Sequence, residues 1–275
     1  MKAILATSVI VMSAPAFAGD VATSYFGDVH PGFFNGTGVS NGSFTVGTDV
    51  GHNVEVGLRA KVRWDSNNQP QNQFNYNSAT NTYTMQAGNP DPAGLPAWKQ
   101  EMARWNFEFS INTDVQGSTS KVLSDFTYQL EMYQVNADGT MIGDALTWDP
   151  INGADPRNGI VGYDHSFGDN TFDDDSVALV AGSEMDYQGL ISSKNVVQQS
   201  WNYSFFDGLS GTALENWNAS DLGTYIIRLT MFDAMSGDAV ATSQITVNVV
   251  PLPTAAFAGL GLMAGLAGVR TIRRR

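Results

Sequence analysis

The stretch Tyr225–Val250, with the sequence YIIRLTMFDAMSGDAVATSQITVNVV, decides the fold class of this chain. From Ile245 to Val249 apolar and polar residues alternate, which places them on opposite faces of an extended strand. A second apolar run, Tyr225–Asp233, precedes it, and Ser236–Asp238 supplies turn residues between the two runs. The stretch therefore predicts a β-hairpin with two long strands.

Similar runs, bounded by turn residues, recur along the chain. The candidate strands are Gly42–Thr48, Asn53–Trp64, Thr82–Gln86, Trp105–Thr113, Asp125–Asn136, Ser176–Ala181, Val196–Phe206, Tyr225–Asp233 and Val240–Val250. A further hairpin turn is indicated at Asn136–Thr140, where Gly139 can adopt a positive φ. Only Pro96–Arg104 suggests a short helix, so no crossover helices alternate with the strands. The predicted fold is all-β, an antiparallel β-sandwich of the Ig-like or jelly-roll-like kind, in one domain with a long loop at 65–96.

The composition indicates a packed domain rather than a disordered chain. Of 275 residues, 43% are hydrophobic and 11% are aromatic, which is enough apolar surface to form a core. The sequence contains no cysteine, so it can form neither a disulfide nor a thiolate metal site. Stability must therefore come from the packing of the core, with bound ions as a further source.

The charge of the chain is unevenly distributed. The formal net charge is −13, from 14 basic and 27 acidic residues. Five of the basic residues lie in two terminal segments, which leaves nine basic against 27 acidic residues and a charge of −18 between them. Such a surface repels a phosphate backbone, so we expect no nucleic-acid partner.

The first residues have the organisation of a signal peptide. Lys2 supplies a positive start, and Ala3–Met12 forms a largely apolar run. Ala16–Ala18 then provides the small-x-small pattern that signal peptidase accepts. Residues 1–18 are therefore predicted to be a signal peptide that is removed after Ala18, and the chain is predicted to be exported.

Residues 250–275 form a tail with three parts. A proline motif comes first, with the residues Val250, Pro251, Leu252 and Pro253. An uncharged apolar stretch, 254–269, follows, and the tail closes with the basic residues Arg270, Arg273, Arg274 and Arg275. A helix over the apolar stretch would span about 24 Å, less than the roughly 30 Å hydrocarbon core of a bilayer. The arginines favour a cytoplasmic C-terminus, so we expect a single hydrophobic helix that anchors the protein transiently.

This tail resembles the PEP-CTERM group of bacterial sorting signals, in its V-P-L-P variant, with Leu252 at the position where the namesake motif has glutamate. The resemblance implies that a membrane-embedded exosortase recognises the proline motif and processes the protein during export. It also implies delivery to the cell envelope or the extracellular polysaccharide matrix. The expected partners are signal peptidase, an exosortase-like enzyme and the membrane, with extracellular polysaccharide as a further partner.

The body, residues 19–249, is similar to uncharacterised exported proteins that commonly carry such tails. The similarity lies in His30–Phe33, Val54–Lys61, Trp105–Thr113 and Gly223–Tyr225. That group has no assigned activity, so the resemblance implies export and a common fold without a specific chemistry.

Two catalytic patterns are matched only in form. Gly38–Gly42 fits G-x-S-x-G, but a nucleophile elbow needs a strand before it and a helix after it, and here a strand follows. The histidines His30, His52 and His165 lack the spacing that places metal ligands on one element, so we expect surface or turn positions. Neither Asp164 nor Asp169 is fixed as a partner that would make His165 a general base. We therefore expect no catalytic residues and predict that the chain is not an enzyme.

The segment Asp164–Asp175 is the strongest candidate for binding a metal. It contains five aspartates, and crowded carboxylates repel one another unless water or a cation separates them. Two interpretations stay open, a solvated acidic loop and a Ca²⁺ site, since Ca²⁺ accepts oxygen ligands from flexible loops. The ligands of that site would be Asp164, Asp169, Asp173 and Asp175. No other cofactor is expected.

The tryptophans divide by their position in the predicted strands. Trp105 and Trp201 lie in strand-like runs and are expected in the core, whereas Trp98, Trp148 and Trp217 lie near loops and could face a ligand. The leading hypothesis is a non-enzymatic, exported protein of the cell envelope or extracellular matrix. One alternative is a carbohydrate-binding module with a Ca²⁺ site. The other is a secreted hydrolase, which would need two carboxylates facing each other across a cleft.

Overall fold

A computed structural model describes residues 24–30, 42–65, 69, 75–91, 94–153, 155–156, 164–170 and 179–252. Its strands are, in chain order, β1 (Ser24–Gly27), β2 (Phe44–Asp49), β3 (Val54–Val62), β4 (Tyr76–Asn77), β5 (Thr82–Gln86), β6 (Trp105–Asn112), β7 (Phe126–Val135), β8 (Met141–Trp148), β9 (Ser166–Gly168), β10 (Val196–Asn202), β11 (Gly223–Asp233) and β12 (Ala239–Val250). The helices of this part of the chain are α1 (Ala97–Gln100), α2 (Glu184–Ile191) and the 3-10 turns Leu123–Asp125 and Tyr203–Phe206.

The strands form two six-stranded sheets. The first sheet has the order β1-β2-β3-β6-β10-β9, and the second has the order β4-β5-β12-β11-β7-β8. Within the described residues, neighbouring strands run antiparallel except for β5 and β12, which pair in parallel. A parallel pair is possible there because the long stretch between Gln86 and Ala239 joins the two strands. The predicted all-β class is confirmed, and the expectation of a purely antiparallel sandwich is corrected at this pair.

The two sheets pack face to face over one apolar core. The inward side chains of the central strands are Trp105, Phe107, Phe109 and Ile111 on β6, and Tyr225, Ile227, Leu229 and Met231 on β11. Each of them is at most 1% exposed, and burial of a large apolar side chain contributes about 1.5–3 kcal/mol. The period of two read from the sequence therefore marks the face of each strand that meets the core.

The two sheets are in close contact where β2 meets β12. The Ser243 hydroxyl donates to the backbone carbonyl of Thr45 at 2.6 Å. Beside this contact Gly47 faces the backbone of Thr242, and a Cβ atom on Gly47 would overlap the Thr242 carbonyl. A glycine is therefore required in β2 for the sheets to close at this position.

The outer face of the first sheet is also buried at β3 and β6, where several of its side chains are polar. Glu108 and Arg59 are both 0% exposed, and the Arg59 Nε donates to Glu108 at 2.5 Å. The Lys61 ammonium forms an ion pair with the other Glu108 oxygen. Burial lowers the pKa of Lys61, and the Glu108 carboxylate opposes that shift. An outer face that alternation alone assigns to solvent is therefore a second, polar interior.

The hairpins are placed as predicted. The Asn136 amide donates to the Thr140 carbonyl at 2.8 Å, with Gly139 at φ +85°. In the closing hairpin the Asp233 amide donates to the Asp238 carbonyl at 3.0 Å. Both turns use a residue type that tolerates the left-handed region, which is why they were readable from the sequence.

Two predicted elements end earlier in the structure than in the sequence prediction. The helix expected over Pro96–Arg104 covers only Ala97–Gln100. It ends there because the next residues bond elsewhere: the Ala103 amide donates to the Asn202 side chain, and the Arg104 carbonyl accepts from the amide of Arg63, just after β3. The strand expected over Val196–Phe206 stops at Asn202, whose side chain accepts from the Ser204 amide and starts a 3-10 turn.

Candidate functional site

A cavity of about 120 Å³ opens at the end of the first sheet where β2 turns into β3. Its wall includes Tyr25 of β1, Asp49 at the end of β2, Glu55 near the start of β3 and Gln116 of the loop after β6. His30, which follows β1, completes the ring of polar groups. Residues from four separate segments therefore meet at one opening.

The best defined feature of the cavity is the contact between His30 and Glu55. The His30 backbone amide donates to Oε1 of Glu55 at 2.8 Å, and the His30 Nδ1 lies 2.9 Å from Oε2. The Tyr25 hydroxyl donates to Oε2 at 3.3 Å. The Glu55 side chain is 2% exposed and that of His30 is 59% exposed, so a buried carboxylate orients an exposed imidazole.

The chain reaches this contact because residues 28–30 leave the sheet edge and cross its outer face. Val29 packs with Phe44 and Val46 in a small apolar cluster of its own. It lies over Gly57, where a Cβ atom would come within 2.8 Å of the Val29 side chain. The absence of a side chain at Gly57 therefore lets His30 descend onto Glu55.

A second pair of histidine and carboxylate lies at the β2–β3 turn. The His52 amide donates to Oδ1 of Asp49 at 3.0 Å, and the His52 Nδ1 lies 2.7 Å from Oδ2. This is a local contact within one turn, and the His52 side chain is 51% exposed. Asp49 and Glu55 thus each receive a backbone N–H and a ring nitrogen from one histidine.

The third wall of the cavity is fixed by Asn53 and the loop after β6. Asn53 adopts φ +60°, a left-handed conformation that asparagine tolerates better than most residues. Its backbone carbonyl accepts from the Val115 amide at 3.0 Å, and its side-chain oxygen accepts from the Gln116 amide at 3.1 Å. The Asn53 side-chain amide donates to Asp114 at 2.6 Å. The β2–β3 turn therefore holds the loop in place.

The pKa values of the two carboxylates in the cavity are shifted in opposite directions. Burial raises the pKa of Glu55, although hydrogen bonds from His30 oppose the shift. Burial also acts to raise the pKa of Asp49, but the hydrogen bonds from His52 outweigh it and lower the pKa. Burial, with the nearby Glu55 carboxylate, raises the pKa of Tyr25 to about 12, so this phenol keeps its proton.

This geometry suits the binding of a ligand at the imidazole of His30. With Nδ1 donating to the Glu55 carboxylate, the Nε2 atom carries the free lone pair of the neutral ring. Both oxygens of each carboxylate already accept hydrogen bonds, so neither Asp49 nor Glu55 presents an open oxygen pair. The cavity can therefore receive a hydrogen-bond donor at His30 within a negatively charged surround.

The structure places part of the predicted Ca²⁺ site. Asp164 precedes β9 and Asp169 follows it, so they lie at opposite ends of this strand. Its three extended residues, Ser166–Gly168, span about 10 Å. The Lys194 ammonium donates to Asp169 at 2.9 Å, and Asp164 is half exposed. Asp173 and Asp175 lie outside the described residues. Asp164 and Asp169 are therefore not brought together, and the Ca²⁺ site stays a prediction.

The start of the predicted sorting motif is visible at the end of β12. Val250 is the last residue of that strand, and its carbonyl accepts from the Ala87 amide at 2.9 Å. Val250 is 37% exposed and Leu252 is 39% exposed. In the described part of the chain, neither α1 nor α2 has the length and apolar character of a membrane-spanning helix. Pro253, the apolar stretch, the four arginines, the signal peptide and Gly38–Asn41 lie outside it.

The expected positions of the histidines and tryptophans were partly wrong. His165 is 1% exposed and packs edge-on against Trp201 instead of lying at the surface. Trp105 and Trp201 are core residues, as predicted. Trp217 is buried and donates to the Tyr225 hydroxyl, and Trp148 is partly buried against the core, whereas Trp98 is 63% exposed. Position near a loop thus identified one accessible ring, and the buried partners of the others were not readable from spacing.

Sequence reasoning did not find the cavity. His30 and Glu55 are 25 residues apart, and their contact depends on the path of the chain across the sheet. The available signal was Glu55 within an apolar run, since a carboxylate in a strand that is buried on both faces requires a partner. In comparisons with known proteins, no family model matches the chain, and no curated protein or solved structure matches it either.

Proposed function

We propose that this chain is an exported protein of the bacterial cell envelope or extracellular matrix, released from a transient membrane anchor by processing at Val250–Pro253. Signal peptidase first removes residues 1–18. An exosortase-like enzyme then carries out the processing at Val250–Pro253. The proposed localisation is the envelope or the extracellular space, with the acidic body outside the membrane.

One observation carries this proposal: the proline motif begins at the last residue of the last strand. Proline has no backbone N–H and cannot continue a ladder of hydrogen bonds, so pairing of β12 stops at Val250. The next residues, Pro251 and Leu252, are exposed. An enzyme at the membrane surface could therefore reach the motif without unfolding the sandwich.

We assign the body a non-enzymatic role. A pair of hydrolytic carboxylates needs one protonated acid that faces the substrate and one carboxylate that is free to act on water or on the sugar. In the cavity, Asp49 and Glu55 each accept hydrogen bonds from a histidine through both oxygens. This arrangement favours a binding pocket over the secreted-hydrolase alternative.

Cell fractionation of two sets of variants tests the proposal. With Pro251→Ala and Pro253→Ala together, the unprocessed chain should accumulate in the membrane fraction, because the processing motif is lost. With Arg270, Arg273, Arg274 and Arg275 replaced by glutamine, the unprocessed chain should be released, since the positive stop is absent. Pro96→Ala, at an exposed position before α1, is the matched control and should fractionate like the unmodified protein. Normal processing of the double proline variant would overturn the proposal.

A further inference from the structure

We propose that the cavity at His30 and Glu55 binds the primary ammonium group of a small organic molecule. The cavity is independent of the C-terminal tail, since it lies at the β2–β3 end of the first sheet. Shape, charge and the orientation of one imidazole each point to this ligand class.

The walls of the cavity are suited to an organic ligand. Tyr25, Val54 and Val115 line it with aromatic and aliphatic surface. The Tyr25 residue is 39% exposed, so its ring is accessible at the mouth. Apolar walls with a few convergent polar groups are typical of small-molecule sites, and an aromatic face attracts cations. A hydrated inorganic ion would leave these walls without complementary contacts.

The charge of the cavity selects a cation. Asp49 and Glu55 both line it, and the described lining residues include neither lysine nor arginine. The Asp28 carboxylate is close enough to Tyr25 to contribute, after burial and Glu55, to the raised pKa of that phenol, so a further negative charge lies near the mouth. The body as a whole is strongly acidic. An anionic ligand would therefore be repelled, whereas an ammonium group gains from two carboxylates at short range.

His30 supplies the directional contact. Its Nδ1 and its backbone amide are both held by Glu55, and the Asn112 side-chain amide donates to its carbonyl at 2.5 Å. The Nδ1 contact orients the ring and the two backbone contacts hold the residue that carries it, so the Nε2 lone pair can accept from an ammonium N–H. The volume of about 120 Å³ corresponds to roughly four water molecules, which accommodates an ammonium group and the first carbons beside it.

Calorimetric titration of the full chain with three probes tests the proposal. Putrescine and glucosamine both carry a primary ammonium, whereas N-acetylglucosamine has the same ring as glucosamine without the charge. We expect at least one of the two amines to bind, and glucosamine at least about tenfold more tightly than its acetylated form if the source is an amino sugar. Binding of putrescine alone would indicate a linear amine as the ligand.

Two variants at the cavity and one control connect binding to these residues. Asp49→Asn and Glu55→Gln should each weaken binding of the amine about tenfold, because each removes one negative charge while keeping the shape. Glu131→Gln, on the second sheet beside Arg228, should leave binding unchanged.

Three results would overturn the inference. Equal affinity for glucosamine and N-acetylglucosamine would show that the charge is not recognised. The absence of binding by both amines at about 10 mM would exclude a site of useful affinity. Unchanged affinity in Asp49→Asn, the variant on the exposed turn that is expected to fold, would place any binding elsewhere.

Discussion

Asp114 is the residue on which one wall of the cavity depends. Its Oδ1 accepts from the amides of Ser118 and Thr119 at 2.9 and 3.0 Å, and its Oδ2 accepts from the Ser120 amide at 3.0 Å. Together with the Asn53 side chain, four donors converge on one carboxylate. Asp114 is therefore the main side-chain acceptor for the backbone of this loop.

Replacement of Asp114 should destabilise the protein at neutral pH. Asp114→Ala removes the acceptor of four hydrogen bonds, one of them from the buried side chain of Asn53, and we expect a loss of roughly 1–3 kcal/mol in the free energy of unfolding. Asp114→Asn keeps one acceptor oxygen and should lose less. Urea unfolding followed by tryptophan fluorescence measures both, and equal stability of all three proteins would contradict the assigned role.

The contribution of Asp114 should also depend on pH. Burial acts to raise its pKa, but the hydrogen bonds from Thr119, Ser118 and Ser120 outweigh it and lower the pKa from 3.8. A lowered pKa means that the unfolded chain takes up the proton first, so the stabilisation is complete above pH 3.8 and is lost as the pH falls through the lower, folded value.

The comparison with Asp114→Asn isolates this dependence, because asparagine does not titrate. The difference in unfolding free energy between the two proteins should shrink as the pH falls from about 5 to about 2. A difference that stays constant over this range would show that folding does not lower the pKa of Asp114.

At the scale of elements, β3 and β6 meet through buried charges on their outer faces. Glu108 is paired with Arg59 and Lys61 where all three side chains are at most 7% exposed. Loss of one partner of such a group leaves the others buried and unpaired, and the expected loss is about 3–5 kcal/mol.

We therefore expect Glu108→Gln to be strongly destabilising and insensitive to salt. Glu131→Gln is the matched control, because Glu131 pairs with Arg228 in the same cross-strand manner but with partly exposed side chains. The control should change the free energy of unfolding by about 1 kcal/mol or less. Both losses are measured by urea unfolding. Similar losses in the two variants would mean that burial does not increase the contribution of the Glu108 group to stability.

The contact between β2 and β12 makes a second prediction at this scale. Gly47→Ala introduces a Cβ atom that overlaps the Thr242 backbone, so the two sheets must separate locally. We expect the variant to lose about 2–3 kcal/mol or to fail to fold.

Gly189→Ala serves as the control for this change. Gly189 lies in α2 and has no atom within 4 Å of an added Cβ, so alanine should stabilise the helix by up to about 1 kcal/mol. Thermal unfolding of the soluble variants measures both effects. A Gly47→Ala protein as stable as the unmodified one would show that the sheets do not approach so closely.

The sequence predicted those elements that have a strong local signal. The strand predicted at Thr82–Gln86 has the observed bounds, and those of β6 and β7 agree within one residue. β8 was missed because Gly143, at φ +69°, interrupts its pattern. α2 was also missed, although Ser183 caps it and Asp186 donates its amide to that cap, which is a readable start signal.

The candidate site was less predictable than the strands, for a physical reason. Alternation reports which face of a strand is apolar, but His30 reaches Glu55 only because Val29 fits over Gly57 across the sheet. That fit depends on tertiary packing between segments that are distant in sequence. Glu108 shows the same limit, because a polar residue that alternates with apolar ones predicts exposure and not burial.

Across the whole chain, an acidic body lies between two terminal segments of opposite charge. The body has a formal charge of −18, whereas the terminal segments carry five basic residues and no acidic ones. Under the proposed function, the positive-inside tendency would place the acidic part outside the membrane and the basic ends at its inner surface. β12 delivers the proline motif to the point where the sandwich ends.

Intact-mass measurement of the protein recovered from the bacterial envelope tests this account most directly. The account predicts a chain that begins at Gly19 and ends within Val250–Pro253, and a chain of the Pro251→Ala, Pro253→Ala variant that begins at Gly19 and still ends at Arg275. An unmodified protein whose mass includes residues 1–18, or whose C-terminus is Arg275, would contradict export with processing at the motif.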